Sequence, residues 1–71
     1  MNKDLPIEIR FGQKVKQRRM ELDISQEELG FRCGLSKNYI SDVERGRRNV
    51  SLKAIEKFAK GLDIEIWKLF I

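Results

Sequence analysis

The chain has 71 residues, 41% of them hydrophobic and 37% charged, and a net charge of +4 at pH 7. A chain this short buries only about 60% of the surface its unfolded form exposes, which points to one domain over residues 1–71 and leaves little room for a deep catalytic cleft. It has no histidine and a single cysteine, Cys33, so the usual general base, the commonest metal ligand and any internal disulfide or cysteine-based zinc site are missing, and no cofactor or metal is expected.

Glycine and capping residues divide the chain into five short helical segments, and no strand pattern interrupts them. The first opens at Pro6 and runs to about Leu22, with Ile7, Phe11, Val15 and Leu22 in one stripe at ~100° per residue. Between Arg10 and Arg19 it carries five basic residues and no acid. Arg18 and Arg19 flank the apolar stripe, and Arg19 on its border needs a partner there. Asp23 ends this helix, and from Glu21 to Glu28 the sign reverses, with four acids and no base. Ser25 caps a second helix, QEELGFRC. The run Ser25-Gln26-Glu27-Glu28 reads as a capping box, in which Ser25 accepts the Glu28 amide and the Glu28 carboxylate reaches back.

Gly34 stops that helix, and Ser36 caps a third, from Lys37 to about Arg45, closed by Gly46 in a left-handed conformation. After the loop GRRNV, Ser51 caps a fourth, whose apolar arc is Leu52, Ile55, Phe58, Ala59 and Leu62, with Lys53, Lys57 and Lys60 opposite and Gly61 an interior penalty. The fifth segment, Ile64 to Ile71, is apolar around most of its circumference. Such a helix asks for burial on more than one side, so Ile66, Trp67, Phe70 and Ile71 are expected at a subunit interface as well as against the core. No apolar run approaches the ~18 residues of a membrane span, and MNKDLPIEIR lacks the apolar stretch of a secretory signal. A reducing cytoplasm is the expected compartment, with no membrane partner and no small-molecule ligand evident.

The third helix is the most informative. Lys37, Asn38, Ser41, Asp42 and Arg45 fall within an arc of roughly 140°, while Tyr39, Ile40 and Val43 take the other side. One face can anchor and the other can read. A helix fits the DNA major groove, where lysine donates to guanine, asparagine pairs with adenine, serine does either, and aspartate accepts from cytosine N4. The start of the second helix offers amides and the Gln26 side chain to a phosphate oxygen. Arg32, Lys37, Arg45, Arg47 and Arg48 outnumber Asp42 and Glu44 in this region, although charge alone fits a solvated surface equally well.

The segment SQEELGFRCGLSKNYISDVERG, followed by NVSLKAIEKFAKGLDI, resembles the lambda-repressor-like helix-turn-helix family, also called the Cro/C1 or XRE type. The likeness covers about residues 11–69, with the motif proper at about 25–46. Leu29, Gly30, Cys33, Leu35, Ile40 and Val43 stand where that family has apolar or small residues, and Gly34 stands at its turn. Within the family, YISDVERGRRNVSL is similar to the small controller proteins of restriction-modification systems, a likeness that phage and mobile-element repressors partly share. The resemblance implies an all-α, compact five-helix DNA-binding fold. It implies that Lys37, Asn38, Ser41 and Asp42 face bases, and that Gln26, Tyr39, Arg45, Arg47, Arg48 and Asn49 lie near the DNA backbone. It also implies an ion pair between Arg19 and Glu44. Asp23, Gly30 and Arg18 depart from its pattern, standing where glycine, alanine and an apolar residue are usual.

The expected function is therefore a sequence-specific, double-stranded DNA-binding transcriptional regulator, a homodimer on a pseudo-palindromic operator, with residues 64–71 as the dimerisation segment. The alternative is a protein-interaction module of the same fold, of antitoxin or coactivator type. An enzyme is the poorest reading. Plainer roles stand beside the sharper ones: Cys33 is a small core residue, Asp42 either reads cytosine or only pairs with Arg45, and Tyr39 is either a core ring or a backbone contact.

Overall fold

Three serines set the helix starts. Ser25, Ser36 and Ser51 each accept the amide of the residue three places on, at 3.0, 3.0 and 3.1 Å, and each such cap stabilises its helix by about 1 kcal/mol. In the computed structural model, which describes residues 4–71, they open α2 (Gln26–Cys33), α3 (Lys37–Glu44) and α4 (Leu52–Gly61), while α1 (Ile7–Glu21) begins at Pro6. A 3-10 turn, Ile66–Phe70, completes the order, and no strand occurs among the described residues. The capping box at Ser25 is only half made. Glu28 turns away to Arg32, with Nε 3.2 Å from Oε2.

All four α-helices end in the same way. The residue just past each cap is left-handed: Asp23 at φ 57°, Gly34 at 69°, Gly46 at 75° and Asp63 at 51°. The paired bonds of the Schellman motif follow in each case, such as Gly46 N–H to the Val43 carbonyl and Arg47 N–H to the Asp42 carbonyl. Aspartate tolerates this conformation better than most residues, which explains how Asp23 serves where glycine is usual. The next residue in this motif commonly packs back on the helix. Ile24, Leu35 and Ile64 do so against the core, but after α3 the position belongs to Arg47, which is exposed.

Phe11 and Val15 of α1, Leu29 and Cys33 of α2, Ile40 and Val43 of α3, Phe58, Ala59 and Leu62 of α4, and Leu69 form the core. Close approach of α1 and α3 depends on Gly12, where a Cβ would strike the Val43 carbonyl. At Gly30 a Cβ would lie 2.5 Å from the Leu35 carbonyl, so glycine there admits the turn into α3. The expected apolar stripes overrun the core at their first residues. Ile7 is 54% and Leu52 86% exposed; each is the first residue of its helix and precedes the first buried side chain, Phe11 in α1 and Ala54 in α4.

The fifth segment is not an α-helix. The chain leaves Asp63 left-handed and passes through extended Glu65 (φ −67°, ψ 141°). The turn that follows spans five residues, Ile66–Phe70, the short run in which 3-10 geometry is usually found. Leu69 alone of these is buried, and Phe70 lies against Phe11 with ring centroids 5.5 Å apart. Arg18 ties this end of the fold down. Its Nε and Nη2 donate to the carbonyls of Leu62 and Asp63 at 3.0 and 3.1 Å, which accounts for a charged residue where the family usually has an apolar one. Among the described residues, no helix is long and apolar enough to cross a membrane.

Candidate nucleic-acid interface

The back of α3 determines what its front presents. Ile40 and Val43 are 0% and 1% exposed, so the helix is seated on the core by these two side chains and cannot rotate without exposing them. Lys37 and Asn38 are consequently turned outward and exposed, with Ser41 and Asp42 half-buried one turn further along. Arg45 is exposed beyond them, and the loop adds exposed Arg47, Arg48 and Asn49. The expected base-facing residues therefore lie on the outward side of α3, and the expected backbone-facing residues Arg45, Arg47, Arg48 and Asn49 are exposed after them.

Glu44, the last residue of α3, fastens this helix to α1 and α2. Its oxygens accept from Arg19 Nε at 2.7 Å and Nη2 at 3.1 Å, and from Gln26 Nε2 at 3.1 Å. Arg19 Nη1 also donates to the Ile24 carbonyl at 2.9 Å. The implied Arg19–Glu44 pair is thus present and bidentate. With side-chain exposures of 14% and 3%, it is shielded far better than an ordinary surface pair. Gln26 is part of the same network, a link the sequence reading lacked; one of its amide hydrogens is engaged on Glu44. An open recess beside it is lined by Arg19, Ser25, Gln26, Glu27 and Lys37, at the point where the N-termini of α2 and α3 meet.

Asp42 does not pair with Arg45. Its carboxylate lies 3.5 Å from Arg48 Nε instead, because the Schellman turn at Gly46 folds the loop back along the last turn of α3. The Arg48 guanidinium also sits 5.1 Å from the centre of the Tyr39 ring. That ring also stacks on buried Phe58, with centroids 6.4 Å apart and planes inclined by 22°. Tyr39 is thus half-buried, in contact with both the core and a cation. No periodicity argument finds this arrangement, since Asp42 and Arg48 belong to different elements and meet only through a left-handed residue.

Two other expectations concern residues away from this surface. Cys33 is buried; burial pushes its thiol up to about 11, partly opposed by a hydrogen bond with the Gly61 backbone. That is the behaviour of a core thiol rather than a nucleophile. Among the described residues, no group of three or more His, Cys, Asp or Glu side chains could hold a metal ion. In the C-terminal segment Ile66, Trp67, Phe70 and Ile71 are 45%, 57%, 40% and 63% exposed, with Lys68 Nζ 5.5 Å from the centre of the Trp67 ring.

A helix-turn-helix family model matches residues 15–66. Control protein C.BamHI of Bacillus amyloliquefaciens is 53% identical over 60 residues, which cover 83% of this chain and 74% of that protein. Control protein C.MunI of a Mycoplasma species is 46% identical over 65 residues, 90% of this chain and 88% of that one. Among solved structures, the restriction-modification controller protein C.AhdI from Aeromonas hydrophila superimposes with a TM-score of 0.86 at 48% identity, covering 89% of this chain and 96% of that one.

Proposed function

This chain belongs to the Cro/C1-type helix-turn-helix family of DNA-binding transcriptional regulators, and from that premise we propose that it acts as a restriction-modification controller, a homodimer on a pseudo-palindromic operator. The observation that carries the DNA-reading part is the split of α3: two core anchors behind, and Lys37, Asn38 and Ser41 in front. Lys37, Asn38 and Ser41 contact bases. Gln26, Tyr39, Arg45, Arg47, Arg48 and Asn49 serve the sugar-phosphate backbone, which fixes register without reading sequence. The exposed cluster of Ile66, Trp67, Phe70 and Ile71 supports the homodimer, since so small a molecule rarely leaves several large apolar side chains uncovered together. Two copies are also what the energetics of reading ask for. One helix of this length offers few base contacts, each worth about 1 to 3 kcal/mol of discrimination, and a second half-site doubles them.

Selection of bound duplexes from a random pool, combined with light scattering, tests this reading. The expected result is two inverted half-sites about one helical turn apart, near 34 Å, bound by a species of twice the chain mass. Asn38→Ala should relax preference at one base pair per half-site, whereas Arg47→Ala should weaken operator and random duplex alike and lower the salt slope by about one. A monomer that enriches no sequence would instead favour the protein-interaction module.

A further inference from the structure

We infer that Asp42 is a positioning residue for Arg48 and not a reader of cytosine. The inference rests on the DNA-binding reading above and concerns how one acid is tolerated on a surface that meets phosphates. Three observations converge on it. The Asp42 carboxylate lies 3.5 Å from Arg48 Nε, the Arg48 guanidinium lies 5.1 Å from the Tyr39 ring centre, and that ring is itself backed by fully buried Phe58. The arginine is therefore held on two sides: by a ring that cannot retreat, and by a carboxylate one helical turn along the same helix.

This geometry has two consequences for a polyanionic partner. Of the guanidinium nitrogens Nε is the one paired with Asp42, which leaves the terminal nitrogens to meet a phosphate, so the side chain reaches the backbone with less rotamer freedom left to lose. In the other direction, Arg48 cancels a charge that would otherwise repel the duplex. A carboxylate occupied in this way is a poor acceptor for cytosine N4, because turning toward the base would leave the arginine without its partner. Tyr39 acts through the same contact, by its ring face; its hydroxyl is not required.

The test is a double-mutant cycle with Asp42→Asn, Arg48→Ala and the pair, measured by fluorescence anisotropy on the selected operator and on a random duplex. Arg48→Ala is expected to weaken binding to both duplexes at least threefold more when Asp42 is present than when asparagine replaces it. Asp42→Asn should leave the selected half-site sequence unchanged. In the free protein, the Arg48 Nε–H resonance should be shifted upfield by the Tyr39 ring in wild type and in Tyr39→Phe, and should move toward its random-coil position in Asp42→Asn. Three results overturn the inference: an Arg48→Ala loss equal in both backgrounds, a change of preference at a single base pair in Asp42→Asn, or, without any DNA present, an Arg48 resonance indifferent to Asp42. Wild-type protein that binds no duplex would sink the DNA-binding reading itself, a result separable from these three.

Discussion

Replacing Glu44 with alanine removes the acceptor on which Arg19 and Gln26 converge, at 2.7, 3.1 and 3.1 Å. Because the paired side chains are 14% and 3% exposed, water does not readily take the place of the lost carboxylate. Removing one member of a shielded pair leaves the other charge uncompensated and costs about 3 to 5 kcal/mol. Arg19 keeps its bond to the Ile24 carbonyl, which places the expected loss near 3 kcal/mol. A chain of 71 residues has a total stability of roughly 4 to 11 kcal/mol, so this single change consumes a large share of it. In urea, at a slope of about 1 kcal/mol per molar for so small a protein, the midpoint should fall by roughly 3 M. The measurement is far-UV circular dichroism at one fixed chain concentration, because the proposed dimer would shift the midpoint by mass action. The double variant Arg19→Met, Glu44→Leu supplies the control. It leaves only neutral groups unpaired, the Gln26 amide and the Ile24 carbonyl, at about 1 kcal/mol each, and should be more stable than Glu44→Ala alone. A loss below about 1 kcal/mol in Glu44→Ala, or a double variant weaker than the single one, would refute the view that this pair locks α3 in place.

Arg18→Leu should lower stability by about 1 to 2 kcal/mol through the lost bonds to the Leu62 and Asp63 carbonyls, and should speed amide exchange at the end of α4; unchanged exchange there would assign those bonds no weight. Gly12→Ala places a Cβ against the Val43 carbonyl and should destabilise by about 1 to 3 kcal/mol despite the better helix propensity of alanine; a gain in the urea midpoint would show that α1 and α3 are free to separate. The Cys33 thiol, raised from 9.0 to about 11 by burial, contributes a stability term that is fully present below pH 9 and lost as the pH rises through 11. That amounts to roughly 2 to 3 kcal/mol. Compared with Cys33→Ala, the wild type should therefore lose more stability over that window, and a constant difference from pH 8 to 11 would contradict it.

Local rules read from the residues were sufficient for most of the fold. Serine hydroxyls and left-handed glycines act within a few residues of themselves, so the starts of α2, α3 and α4 and their turns at Gly34 and Gly46 were legible. The misses have a common cause: they concern where an element meets the rest of the molecule. Ile7 and Leu52 sit correctly on their helical stripes, but only the packed structure shows that burial begins further along, at Phe11 and Ala54. The last segment has the composition of a buried helix, yet left-handed Asp63 and extended Glu65 break its start and a 3-10 turn follows. At the candidate site, the outward face of α3 follows from its own periodicity. The Asp42–Arg48 contact does not, since it depends on a reversal at Gly46, and the place of Gln26 on Glu44 depends on three helices meeting.

These contacts also resolve an electrostatic difficulty in the helix proposed to face DNA. The sequence of α3, KNYISDVE, holds one base, Lys37, against two acids, Asp42 and Glu44. Taken alone it carries a net negative charge, a poor choice for approach to phosphates. Each acid, however, is matched by an arginine from outside the helix, Glu44 by Arg19 of α1 and Asp42 by Arg48 of the following loop. With both partners counted, the local charge becomes positive and Lys37 is left as the excess. The two acids thus serve as attachment points: one holds α3 to the body of the protein, and the other holds the loop to α3. Because attraction to DNA scales with the cations free to displace counterions, Arg19 and Arg48 are only partly available for that role. The salt dependence of binding should therefore be carried mainly by Lys37, Arg45 and Arg47, and substitution of Arg19 should alter stability far more than it alters the salt slope.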